Sequence, residues 1–104
     1  MKGYIIKVTY LTGPNAGKSY FLQKDGCLTT DPDVQWSHNC YQTEDACMSV
    51  CRQIGCDNII NHMVEEKTRE LQIQNGHTVS DSMMYELEYY EPYFVKTVRN
   101  SIDV

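Results

Sequence analysis

Gly3-Tyr4-Ile5-Ile6-Lys7-Val8-Thr9-Tyr10-Leu11 and the later Ser19-Tyr20-Phe21-Leu22-Gln23-Lys24 are the two stretches whose reading decides the fold. Both are rich in β-branched and aromatic residues. In the first, Ile6, Val8 and Tyr10 alternate with Ile5, Lys7 and Thr9, the period of a strand with one more polar face. Between them, Thr12 to Lys18 carries Gly13, Pro14, Asn15 and Gly17, residues that supply backbone angles others resist. The pattern predicts an antiparallel β-hairpin over about 3–24.

The same loop contains a decoy. Gly13-Pro14-Asn15-Ala16-Gly17-Lys18-Ser19 resembles a phosphate-binding G-x-x-x-x-G-K-[ST] loop, but Thr12 stands where the first glycine is needed. A phosphate loop must also lead into a helix N-terminus, and Ser19 leads into Tyr-Phe-Leu, a strand. A hairpin turn accounts for the residues better.

Beyond the hairpin, Asp25-Gly26 opens an irregular stretch over 25–42, which Trp36 is expected to anchor by burying its ring. A helix is predicted over about 43–55. Thr43 is a suitable N-cap, Glu44 and Asp45 suit the positive end of the helix dipole, and Gly55 is the expected terminator. Ala46, Cys47, Val50, Cys51 and Ile54 recur on one face. The segment 57–74 reads as helix or strand. Ile60, Met63, Val64, Lys67 and Leu71 follow a helical stripe, whereas Ile60, His62 and Val64 would share a strand face. Asn75-Gly76 signals a turn. A strand is predicted over about 84–91, with Tyr85, Leu87 and Tyr89 alternating with Glu86 and Glu88, and Pro92 marking an edge or a strand end. The tail 96–104 is expected to fray. The whole reads as one domain, 1–104, of class α+β: an N-terminal antiparallel β-hairpin packed with one or two helices and a C-terminal strand.

With 41% apolar and 22% charged residues, widespread disorder is excluded. The net charge of −5 is uneven: residues 1–40 carry +1 and the remainder −6. No Lys or Arg occurs between Arg69 and Lys96, a gap that holds Glu70, Asp81, Glu86, Glu88 and Glu91. Such a surface repels nucleic-acid phosphates and anionic membranes and suits a partner with a basic surface. No stretch approaches a transmembrane helix, and the start has too short an apolar run for a signal peptide. A reducing cytoplasm is therefore expected, and the odd count of five cysteines agrees with the absence of a disulfide framework.

Three groups of residues could carry function. Cys47 and Cys51, four apart on the predicted helix, could share a structural zinc with Cys40 and Cys27; Cys56, His38 and His62 are spare candidates. No other cofactor is implied. The plainer alternative is that Cys47 and Cys51 are buried thiols on an apolar face. A cysteine nucleophile paired with His38, His62 or His77 is the second group, but the acidic first helical turn disfavours a nearby thiolate, so no enzyme is expected. The third is the acidic-aromatic segment from Asp81 to Tyr93. Here Glu86, Glu88 and Glu91 could meet Lys or Arg on a partner, and Tyr90 and Tyr93 offer rigid amphipathic contacts. The plainer alternative is a packing strand with a solvated acidic side.

The opening Tyr4-Ile5-Ile6-Lys7-Val8-Thr9-Tyr10, the Gly13-Pro14 loop, Gln35-Trp36 and the Thr43-Glu44 helix start resemble short uncharacterised proteins of phages and prophages of Gram-positive bacteria. These features cover about the first half of the chain. Anti-CRISPR inhibitors are one class of such small acidic proteins. The resemblance implies a non-enzymatic inhibitor in the bacterial host cytoplasm. It would bind a host protein with a basic surface, such as an RNA-guided Cas nuclease, without contacting nucleic acid or membrane. The alternative is a zinc-stabilised phage accessory protein with another partner, and the third reading is a small thiol enzyme.

Overall fold

The computed structural model describes residues 2–77 and 86–100. The chain is α+β. Its elements are β1 (Tyr4–Tyr10), β2 (Ser19–Leu22), β3 (Leu28–Thr29), β4 (Val34–Trp36), a 3-10 turn (Ser37–Asn39), one long helix α1 (Glu44–Gln74), β5 (Glu88–Phe94) and β6 (Thr97–Arg99).

β1 is the centre of a four-stranded sheet ordered β3-β2-β1-β5. It pairs antiparallel with β2 through Ile6↔Leu22 and Val8↔Tyr20, as the hairpin pattern predicts. Gly13 and Gly17 take positive φ in the connecting loop, and Ser19 opens β2, so no helix follows the glycines. At Gly13 the glycine is required twice over, because a Cβ would also overlap the Glu86 carboxylate.

The alternation along β1 has a buried residue on each side. Ile6 and Val8 form one core cluster with Cys47 and Cys51 of α1. Ile5 forms another with Cys40 and Val95 on the opposite face. That second face is closed by β4 and β6, which pair in parallel. The chain from Lys96 thus continues into β6, and the expected fraying is corrected for 97–99. Lys96 reaches Asp33 at 4.0 Å and the Thr97 amide donates to the Asp33 carbonyl, which fix the start of β6 beside β4.

Within β4 the inward residue is Gln35, not the expected anchor Trp36. Alternation turns Trp36 outward, 43% exposed, with the Arg99 guanidinium 5.7 Å from its ring centre. Buried Gln35 is fully engaged. It donates to Thr29 Oγ1 and the Asp31 carbonyl and accepts from Gln23.

The largest correction concerns α1. Thr43 caps it as predicted, its side chain accepting from the Ala46 amide at 3.1 Å. Gly55 does not end it. A mid-helix glycine costs about 1 kcal/mol, which the turns on both sides outweigh, and Gly55 keeps an ordinary helical φ. The segment 57–74 is therefore helix. The terminator is Gly76, at φ 82°, where the Gly76 amide donates to Ile73 and the His77 amide to Gln72, a Schellman cap. At 31 residues α1 is roughly 46 Å long and outruns the sheet. The molecule measures 61 × 24 × 22 Å, and its radius of gyration, 17.2 Å, exceeds the ~13 Å of a compact chain this size.

β5 begins later and runs further than the predicted 84–91; residues 84 and 85 lie outside the described residues. It pairs along the whole of β1, from Tyr4↔Phe94 to Tyr10↔Glu88. The Val95 amide donates to the Gly3 carbonyl and the Leu11 amide to the Leu87 carbonyl, so odd positions of β1 face β5. Ile6↔Pro92 is then a non-hydrogen-bonded pair, and the proline nitrogen faces the free edge of the sheet. Pro92 therefore marks an edge, as expected, but not an end.

Candidate protein-binding surface

β5 and the start of α1 set the positions of the acidic-aromatic residues. Even-numbered residues of β5 face α1, because Val8↔Tyr90 puts Tyr90 beside the Ile6–Val8 core. Glu88 shares that face. Its carboxylate accepts from the Tyr20 hydroxyl at 2.5 Å and from the Tyr90 hydroxyl at 3.0 Å. Burial, reinforced by the Glu88 charge and its hydrogen bonds, raises the pKa of both phenols, so they remain donors. Glu88 and Tyr90 thus form an internal three-residue network under α1.

Tyr93 lies on the other face. Its ring meets Phe21 edge-on at 4.9 Å, and its hydroxyl donates to Asp33 Oδ1 at 2.6 Å. That hydrogen bond raises its pKa. The two remaining residues are more available. Glu91 stands opposite Lys7 in the register, and Glu86 leans over Gly13. Neither carboxylate has a hydrogen-bond or ion-pair partner among the described residues. The five residues therefore do not form one docking face. Glu86 and Glu91 are half-buried carboxylates without a hydrogen-bond or ion-pair partner among the described residues, whereas Glu88, Tyr90 and Tyr93 are tied into the fold by hydrogen bonds.

One residue of this region gave no signal in the sequence. Asn58, 7% exposed in mid-helix, donates from its amide to the Glu86 carbonyl and accepts from the Glu88 amide, both at 2.9 Å. It clamps the backbone on either side of Leu87 to α1. Two devices now protect the open edge of β5: Asn58 occupies the Glu88 amide, and Pro92 has none to offer.

The candidate zinc ligands do not converge. Cys47 and Cys51 lie between α1 and the sheet, Cys40 lies across the sheet with Ile5 and Val95, and Cys27 is exposed in the turn between β2 and β3. A four-stranded sheet separates the two buried groups, so no common ion can reach them. Among the described residues no three His, Cys, Asp or Glu side chains are placed to hold a metal. The buried thiols instead act as small core groups. Burial pushes the Cys47 thiol up to about 12 and raises Cys40 and Cys51 as well, and Cys47 donates to the Ile5 carbonyl at 3.4 Å. These are protonated thiols, unlike metal ligands or nucleophiles.

Exposed carboxylates are concentrated on α1, at Glu44, Asp45, Asp57, Glu66 and Glu70, against Arg52 and Lys67 as exposed cations of the same helix. No described helix is long and apolar enough to cross a membrane. No protein family, curated protein or solved structure matches the chain.

Proposed function

We propose that this protein is a non-enzymatic inhibitor that binds a host protein through a basic surface of that protein. In this reading it is of the anti-CRISPR kind and acts on an RNA-guided Cas nuclease in the bacterial host cytoplasm. The observation that carries the reading is the acidic excess: five exposed carboxylates along α1 and the unpaired, half-buried Glu86 and Glu91 before and within β5, on a chain of net charge −5. Carboxylates held on a sheet-backed scaffold would compete with nucleic acid for a Lys/Arg-lined channel. Their field would speed encounter, and desolvated contacts around them would slow release.

The test is target-DNA cleavage by a guide-loaded Cas nuclease of a Gram-positive host, titrated with the purified chain. The parent is expected to inhibit, less so as salt rises. The Glu86→Gln/Glu91→Gln pair is expected to weaken inhibition about 10-fold at low salt and to flatten its salt dependence. Glu88 is left intact because it is an internal acceptor. Equal inhibition by parent and variant at low salt would remove this surface from the reading, and a parent that never inhibits would remove the nuclease.

A further inference from the structure

The flank of α1 that adjoins its packed face is hollow. At about 100° per residue, Cys47, Cys51, Ile54 and Asn58 share the face that meets the sheet. Arg52, Gly55, Cys56 and Ile59 follow at i, i+3, i+4 and i+7 on the flank beside it. Between that flank and the start of β5 lies a cleft of about 570 Å³, with Leu11, Leu87 and Tyr89 on its other wall. Leu11, Ile59 and Tyr89 are each more than half exposed, so the described residues leave the cleft open. Gly55 widens it. A glycine in mid-helix is a liability, and a Cβ here would meet only Tyr90, at an ordinary 3.7 Å. Packing inside the fold therefore does not demand a glycine, whereas a side chain at this position would narrow the cleft.

The charges around this apolar cleft are lopsided. Glu86 precedes Leu87 and leans over Gly13, two residues from Leu11. Glu91 follows Tyr90, which lines the cleft; burial is the main cause of the raised Cys51 thiol there, and the nearby Glu91 charge adds to it. Glu88 lines the cleft as a third carboxylate, tied to Tyr20 and Tyr90. Against these three stands Arg52, exposed and the one cation of the lining among the described residues. We propose that the cleft receives an arginine side chain of the partner protein, an inference that rests on the reading of a partner with a basic surface. The apolar walls cover the aliphatic stem of such a guest. Tyr89 offers a ring face to its guanidinium, and the unpaired Glu86 and Glu91 oppose its charge. Lysine fits less well, because its compact, strongly hydrated ammonium stacks poorly on a ring.

The probe is N-acetyl-arginine amide, titrated into the isotope-labelled full chain with no nuclease present and followed by amide NMR. Saturable shifts are expected at Gly55, Leu87 and Tyr89, with a dissociation constant of roughly millimolar. The uncharged citrulline analogue, of the same shape, is expected to bind at least ~10-fold more weakly. Cys56→Trp fills the cleft from an exposed position without changing charge, and is expected to weaken binding at least ~10-fold with melting unchanged. Arg52→Glu removes the opposing cation and is expected to tighten binding about 3-fold at low salt and less at high salt. No saturable shift up to about 50 mM probe overturns the proposal. So does equal binding of the citrulline analogue, a Cys56→Trp chain that binds like the parent, or weaker binding by Arg52→Glu. A parent that takes the probe but inhibits no nuclease supports the cleft and removes only the nuclease. One that inhibits without these shifts overturns the cleft alone.

Discussion

Residues 44–58 and 59–74 belong to one unbroken helix, yet they are helical for different reasons. The first half is amphipathic toward its own domain: Thr43 caps it, and Cys47, Cys51 and Ile54 pack on Ile6, Val8 and Tyr90. The second half has strong helix formers, including Glu65, Glu66, Lys67, Arg69, Glu70 and Leu71, and a Schellman cap, but its apolar side chains Ile59, Ile60, Met63, Val64, Leu71 and Ile73 are exposed rather than packed on the sheet. An isolated helix of that length is marginal in water. It is carried by the turn already nucleated on the sheet. Helical continuity and core membership are thus separate properties of α1, and each can be perturbed without the other.

The sharpest break between the halves should come from deleting core volume under the first. Ile6→Ala removes a side chain that is 2% exposed and meets α1. It is expected to cost about 2–5 kcal/mol of unfolding free energy by urea titration. A cost below about 1 kcal/mol would mean that α1 does not depend on the sheet as described. Next comes the junction. Asn58→Ala leaves the Glu86 carbonyl and the Glu88 amide without their partner, and a loss of about 1–3 kcal/mol is expected. Amide exchange should rise most at Glu88, which distinguishes an undone clamp from a general loss of packing.

The comparison also shows what the sequence made legible. The hairpin could be read because strand alternation and turn glycines are local signals, and the start of α1 because a cap acts within three residues. The middle of α1 was obscured by Gly55, a local signal that its context overrides, because Cys51 and Ile54 before it and Asn58 after it hold the helix to the sheet and β5 from far along the chain. The candidate site was harder. Glu88 has the alternation of a solvated carboxylate, and only the pairing of β1 with both β2 and β5 brings the Tyr20 hydroxyl to it. Asn58 has no periodic signature at all, because one polar residue inside a helix looks the same whether it faces water or a strand.

Alkaline pH separates the halves without mutation. Cys47 is raised from its ordinary value of 9.0 to about 12, and Cys51 and the Tyr20 and Tyr90 phenols are raised too, all beneath the first half of α1. A group whose pKa is higher in the folded state stabilises fully below its unfolded pKa and loses that contribution as pH climbs through the folded value. Stability should therefore be insensitive to these groups at pH 7. It should fall from about pH 9 upward, first through the thiols and then through the phenols. Replacing Cys47 by Ala should make the early part of that fall shallower, and an unchanged profile would place its thiol in water rather than in the core.

The smallest effect is the one most diagnostic of the second half. Ile60→Ala changes a side chain that is 57% exposed and belongs to neither core cluster. Alanine is also the better helix former, so the propensity gain of a few tenths of a kcal/mol opposes whatever contact is lost. The expected change in the stability of dilute protein lies within about ±0.5 kcal/mol. A loss of about 2 kcal/mol in dilute solution would instead place Ile60 inside the fold, and the division of α1 into a packed half and a projecting half would fail.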